Sequence, residues 1–209
     1  MAHDQYADKT DLKNMIGLSG TSQDNNIDNA INAACRQIDK IVGRVFYETE
    51  TTQIKYFNPV SHFYLQVPDI SKTTSLEIKL DTNDDGSYDT TLVENTDFYL
   101  LPLNPKQIGE QASTLYYEPY TEIRILDQKT DERFDPTIIK NVKITAFWGF
   151  SMVPDAIKQA TLLQASRLWK RKDSPFSTYG NIDTGEQELF QKFDPDARNL
   201  IMGYKKRTL

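Results

Sequence analysis

Cysteine is almost missing from this chain: Cys35 is the single one among 209 residues, so no internal disulfide can form. Histidine is nearly as scarce. His3 and His62 are the only two, and neither stands in the spacing of a zinc site or beside a serine or cysteine nucleophile. There is no Gly-rich phosphate loop, no dinucleotide fingerprint and no apolar run of the length that spans a bilayer. The opening residues MAHDQYADKTDLK lack the basic and apolar regions of a secretory signal. Basic residues are outnumbered, 24 Lys and Arg against 30 Asp and Glu, giving a net charge of −6. The only short basic clusters are Lys170–Lys172 and Lys205–Arg207. That balance argues against tight, sequence-reading DNA binding, which needs a basic surface. It permits an acidic protein that surrounds DNA without gripping it. With no catalytic constellation in sight, an enzyme is the reading least supported.

What is present is a soluble, aromatic-rich composition, with 11 Tyr and 10 Phe, and enough length to bury a core without a metal staple. The strongest single pattern is Val153 to Tyr179. Pro154 suits a first helical turn, and Asp155 complements the positive helix end. A run of good helix formers continues to Asp173-Ser174-Pro175, which predicts a helix of roughly 17 residues, about 25 Å long. Its apolar residues fall on two sides: Ala156, Ile157, Ala160, Leu163 and Leu168 on one, Leu162, Ala165 and Trp169 on the other. A helix apolar nearly all round must be covered on more than one side. Either the middle segment or a neighbouring copy is expected to supply the second cover.

Earlier in the chain, Thr10 or Asp11 is positioned to cap a short helix over Leu12, Met15 and Ile16, stopped by Gly17. Ile27, Ile31, Ala34, Ile38, Ile41 and Val42 then give a clean amphipathic helix, capped from Asp24, Asn25 or Asn26 and ended by Gly43. From Val45 to Trp148 the period changes to two. Strands are predicted at Thr52–Phe57, Phe63–Val67, Ser75–Leu80, Tyr88–Val93, Thr121–Leu126 and Asn141–Phe147. After Pro175 a polar stretch leads to a short helix expected near Glu186–Phe193, then to Asp194 as a cap with Pro195 at the first helical position. The expected fold class is α+β: a helical core, made of the N-terminal helices and a long C-terminal helix, interrupted by an antiparallel β-module. The expected organisation is residues 1–44 for the N-terminal helical part and 45–150 for the inserted module. Residues 151–192 follow as the long helix and its loop, and 193–209 as a tail that docks on a partner.

Asp81-Thr82-Asn83-Asp84-Asp85-Gly86-Ser87-Tyr88-Asp89 places side-chain oxygens at Asp81, Asn83, Asp85 and Asp89 around a glycine at position six. That is the front of a calcium loop, without the closing glutamate, since position twelve is Leu92. The same residues read equally well as a plain Asp-Gly hairpin turn. The aromatics Tyr56, Phe57, Phe63, Tyr64, Phe98, Tyr99, Tyr116, Tyr117, Tyr120, Phe147 and Trp148 are candidates for a glycan-binding face, and better candidates for core or interface.

Taken in order, these elements resemble the head–tail connector (adaptor) proteins of long-tailed bacteriophages. The resemblance is carried by Ala33-Ala34, Ile38-Asp39, Gly43-Arg44 and Phe46 on the early helix, and by Val67-Pro68-Asp69-Ile70 with the Asp81–Asp89 hairpin. It continues through Trp148-Gly149-Phe150, Val153-Pro154, the Ala160–Lys172 helix running into Asp173-Ser174-Pro175-Phe176, and Asp194-Pro195-Asp196 before Tyr204, Lys205 and Lys206. The resemblance implies a non-enzymatic virion protein assembled in the host cytoplasm. It implies a homo-oligomeric ring, usually of twelve copies, beneath the portal protein. Such a ring extends the DNA channel, through which DNA passes without specific binding, and receives a stopper or tail-completion protein. No membrane and no required cofactor are implied, calcium being the one candidate ion. The resemblance further implies that the tail docks on the portal, through Phe193, Leu200, Ile201, Tyr204, Lys205, Lys206 and Arg207. The alternative is a calcium-dependent β-module that binds glycan or protein.

Overall fold

The chain's contacts divide it into two compact units, Tyr47–Met152 and, flanking it in sequence, Met1–Phe46 with Val153–Leu209. The computed structural model describes residues 5–171, 178–179, 188–189 and 193–206.

The first unit holds four helices: α1 (Lys9–Ile16), α2 (Asp24–Val42), α3 (Asp155–Arg171) and α4 (Pro195–Met202). Their ends follow from local chemistry. Asp8, one turn earlier than expected, caps α1 by accepting the Thr10 N–H at 2.6 Å. Gly17 and Gly43 end α1 and α2 in the left-handed conformation, φ 70° and 72°, which costs glycine nothing. Asp194 caps α4 by accepting the N–H groups of Asp196 and Ala197 at 3.0 Å, with Pro195 at the first helical turn. On α2 the apolar stripe is buried from Ile27 through Ile31, Ala34 and Ile38 to Val42, and Cys35 lies within it.

Helix α3 is packed by α1, α2 and α4 together. The second cover that its all-round apolarity demands therefore comes from the chain's own α4. That source is neither of the two expected ones, the middle segment or a neighbouring copy, and Leu163, Leu168 and Trp169 stay partly exposed.

In the second unit a six-stranded antiparallel sheet runs in the order β1 (Gln53–Phe57), β8 (Val142–Trp148), β2 (Tyr64–Leu80), β7 (Tyr120–Ile125), β4 (Phe98–Leu101), and β3 (Thr90–Leu92) pairs with the far end of β2. β5 (Gln107–Gln111) and β6 (Thr114–Tyr117) form a separate two-stranded hairpin. β9 (Thr178–Tyr179) and β10 (Glu188–Leu189) pair with each other. Alternation sets the core. Val142, Ile144, Ala146 and Trp148 of β8 point inward with Leu65, Val67, Ile78 and Leu80 of β2, while Ile123 and Ile125 of β7 join Phe98, Leu100 and Phe134.

The structure corrects the expected fold class. The described residues build an extensive antiparallel sheet accompanied by four short helices; a helical core with a long C-terminal helix is not what they form. The reason lies in β2. The pattern showed two strands, Phe63–Val67 and Ser75–Leu80, separated by Pro68 and a polar run. The chain instead keeps one 17-residue strand and absorbs the irregular part as register shifts between Gln66 and Ile70 and between Lys72 and Glu77. Such bulges tolerate a proline and bend the strand, letting it pair with β7 and β3 at its two ends and with β8 across its far side. The short helix expected at Glu186–Phe193 lies largely outside the described residues; of that span, Glu188–Leu189 is extended.

Candidate interaction surfaces

The Asp81–Asp89 loop is closed by its own backbone. Asp81 is 3% exposed. Its Oδ2 accepts the Gly86 N–H at 2.9 Å, and its Oδ1 accepts those of Asn83 and Asp85 at 3.3 and 3.4 Å. Asn141, fully buried, anchors the loop base by donating to the Asp81 carbonyl at 2.8 Å. Asp85 accepts the Ser87 N–H and Asp89 the Ser87 hydroxyl. Asn83, Asp85 and Asp89 are exposed, while Asp81 turns inward, so the four expected calcium ligands divide between two environments. Among the described residues no group of three or more His, Cys, Asp or Glu side chains is placed to hold a metal ion. Asp81 is a staple for a turn. Asp81→Ala is expected to cost about 1–3 kcal/mol, because it leaves partly buried N–H groups unpaired. Denaturant unfolding together with amide exchange at Gly86 measures it; an unchanged midpoint and unchanged exchange would contradict the staple.

The tail residues divide in the same way. Ile201 is fully buried with Ala197 on the inner side of α4. Tyr204 sets its ring edge-on to Phe46 at 5.7 Å, and the Lys206 N–H donates to the Val42 carbonyl at 2.9 Å. Phe193 is half-buried, Leu200 and Lys205 are exposed, and Arg207 lies outside the described residues. The segment is thus folded back on its own unit, with Leu200, Met202 and Lys205 presented outward.

Two polar anchors hold it there. The Gln164 side chain, fully buried on α3, donates to the Gln37 Oε1 of α2 at 2.7 Å and accepts the Asp194 N–H at 2.9 Å. Phe46 is gripped from the other end of the chain. The Tyr6 ring meets it edge-on at 5.6 Å, and the Tyr6 hydroxyl accepts the Phe46 N–H at 3.0 Å while donating to Asp39 Oδ1 at 2.5 Å. Burial, then the hydrogen bond to Asp39, pushes the Tyr6 phenol well above its ordinary range and keeps it a donor. Neither anchor was found from the sequence. The one available signal for Gln164 was a polar residue on an otherwise apolar helix face.

Several carboxylates titrate low because hydrogen bonds favour their charged form. The Thr10 N–H does this for Asp8, the Lys13 ammonium for Asp24, and the Thr137 hydroxyl and N–H for Asp135. A depressed folded-state value contributes stability above the unfolded carboxylate pKa of about 4 and loses it as pH falls through the folded value. Melting temperature is therefore expected to drop between about pH 4 and pH 2, and less steeply in Asp8→Asn, whose side chain still accepts from Thr10. Equal acid sensitivity in the variant would show that Asp8 contributes nothing.

His62 closes a loop: its Nδ1 lies 2.7 Å from the Phe134 carbonyl, and its own carbonyl accepts the Phe134 N–H. His3 lies outside the described residues. Of the aromatics, Phe98 and Trp148 belong to the core with Phe57 and Tyr120 packed against it, whereas Tyr56, Phe63 and Tyr117 are exposed. A shallow groove of about 340 Å³ between α1 and α3 is lined by Asp11, Asn14, Asp155, Lys158, Gln159 and Leu162. Asp11 pairs with Lys158 across it at 2.7 Å and raises the lysine's pKa. No helix among the described residues is long and apolar enough to cross a membrane.

The sheet unit carries a stapled turn and exposed apolar side chains, among them Ile54, Val60, Leu115 and Ile139. The model for head completion proteins matches residues 6–128, more than half of the chain, and the chain belongs to that family. It is a bacteriophage head–tail connector protein with a structural role in the virion. Among solved structures its fold is similar to a chain described as "Neck of empty GTA particle computed with C6 symmetry". The identity is 12%, the TM-score 0.52, and the match covers 96% of this chain and 90% of that one. No curated protein matches the sequence.

Proposed function

We propose that this chain is one subunit of a ring in the phage neck. The ring sits beneath the portal, extends the DNA channel, and offers its lower face to a stopper or tail-completion protein. The observation that carries this reading is the fold likeness, over nearly the whole chain, to a protein from a neck computed with sixfold symmetry. Sixfold averaging accommodates six or twelve copies, and twelve is the number the connector resemblance implies. The acidic balance of the chain, −6 overall, suits a conduit that repels DNA phosphates. The subunit works by fit and not by catalysis. Portal docking uses the outward side of α4, where Leu200 and Met202 supply apolar contact and Lys205 a positive charge for an acidic rim.

Deleting the whole tail would not test that assignment, because Ala197 and Ile201 also cover α3. The informative variant is Leu200→Ser with Lys205→Glu, which leaves the buried Ala197 and Ile201 in place. It is expected to weaken co-sedimentation with the portal at least about tenfold while the melting curve stays within about 1 kcal/mol of wild type. Undiminished portal binding would remove α4 from the interface. Electron cryomicroscopy of the portal vertex tests the ring itself; a single copy per neck would refute it.

A further inference from the structure

The sheet unit ends in two unpaired strands of opposite character. β1 pairs only with β8, and β4 only with β7, so these two strands are the opposite edges of the sheet among the described residues. Unpaired edges are templates for association, which proteins normally blunt with proline, charge or cover.

At the β1 edge the loops are tied into one surface. The Lys140 N–H donates to Asn58 Oδ1 at 2.6 Å, and the Tyr88 hydroxyl donates to the Lys140 carbonyl at 2.8 Å. Val60 is 81% and Ile139 75% exposed, and Ile54 and Tyr56 are about half exposed beside them. Lys140 and Lys143 lie over the rings of Tyr56 and Tyr88, at 5.7 and 5.5 Å, and neither forms an ion pair among the described residues. Lys140 holds φ at 59°, an uncommon conformation for a non-glycine, and so turns Ile139 outward from a fixed position.

Past the β4 edge the character reverses. Leu103 is 63% exposed, and the β5–β6 hairpin that follows pairs with no other strand, lies beside Met152 at Gly109, and carries exposed Leu115 and Tyr117. A ribbon of two strands is only marginally stable in water without a surface to lie on. Glu110 lies on β5 and Glu118 follows β6, Glu94 lies in the turn that leads into β4, and none of the three is in an ion pair among the described residues; Lys106 precedes β5.

We infer that these two edges meet each other in adjacent copies of the chain: the basic, apolar β1 edge of one subunit receives the acidic, apolar β5–β6 hairpin of the next. The contact joins unlike surfaces, so it repeats head to tail and closes by rotation, which is the form a ring requires. Apolar residues on both sides supply the buried area, and the unpaired lysines and glutamates set orientation and encounter rate. The inference rests on the ring reading above and adds to it which surfaces the subunits use.

The test uses the full chain, with self-association followed by sedimentation velocity at low ionic strength and copy number followed in assembled necks. Lys140→Glu with Lys143→Glu should weaken self-association at least about tenfold, and so should Glu110→Lys with Glu118→Lys. The four changes together restore opposite charges across the same contact and should bring association back to within about threefold of wild type, which a merely misfolded variant would not do. Wild-type association with either pair alone, or no recovery in the fourfold variant, overturns the contact and leaves the ring standing. A wild type that is monomeric in solution and present once per neck removes the ring, and this contact with it.

Discussion

Gly149→Ala is expected to unfold the sheet unit. Gly149 follows β8 with φ at 102°, a conformation that L side chains rarely adopt. An added Cβ would stand 1.9 Å from the Tyr47 carbonyl oxygen and 3.0 Å from its carbon. Neither is the end of a flexible side chain; both are backbone, and that backbone is held. Trp148 and Thr49 exchange hydrogen bonds, the Thr49 N–H to the Trp148 carbonyl at 2.9 Å and the Trp148 N–H to the Thr49 hydroxyl at 3.1 Å. The Gly149 N–H donates to the Asp69 carbonyl at 2.7 Å. Relief therefore means separating the 47–49 segment from the end of β8. Positive-φ strain alone costs about 1–2 kcal/mol, and the broken contacts bring the sum beyond about 4 kcal/mol, among the largest effects a single substitution produces. Native stabilities are commonly about 5–15 kcal/mol, so the variant should be poorly soluble or lose most of its resistance to urea. A loss below about 1 kcal/mol would mean that the close approach at Tyr47 is wrong.

Phe46→Ala should be nearly as costly, about 3–5 kcal/mol, for a different reason: it empties a fully buried ring site. Phe46 is where both ends of the chain converge. Tyr6 stands against one edge of its ring and Tyr204 against another, and its N–H is held by the Tyr6 hydroxyl. Removing the ring should loosen the residues around Tyr204 before the helices themselves melt, since α4 keeps its own contacts to α3. Hydrogen exchange at Tyr204 to Lys206 is expected to accelerate more than exchange in α2. A double-mutant cycle with Tyr204→Ala should show the two losses to be less than additive by about 0.5–1.5 kcal/mol, the coupling of an edge-on aromatic pair. Strict additivity would show that the tail is held by α4 alone.

Much of this was legible in residue order. The stripe from Ile27 to Val42, the stops at Gly17 and Gly43, and the Asp194-Pro195 cap are local signals, and each element forms where its own residues place it. The connector family was legible too, through the order and spacing of the elements taken together. The balance of the fold was not. Pro68 and the polar run after it hid the continuity of β2, because a bulge is stabilised by partners on both sides of a strand and not by the strand itself. The strands β4, β5 and β6 were missed for the same reason: they are short, and only pairing defines them.

Composition and periodicity alone determined that this chain buries a core without disulfides and that helix precedes and follows its β-rich middle. Tertiary structure decided the rest. It made Asp81 a turn staple, laid Ile201 and Tyr204 back on the chain's own helices, packed α4 on α3, and set the β5–β6 hairpin apart from the main sheet. Helix periods and caps are written within a few residues of one another. Which strand pairs with which, and which apolar face finds its cover at home, depends on contacts between residues far apart in the chain, and those exist only once it has folded.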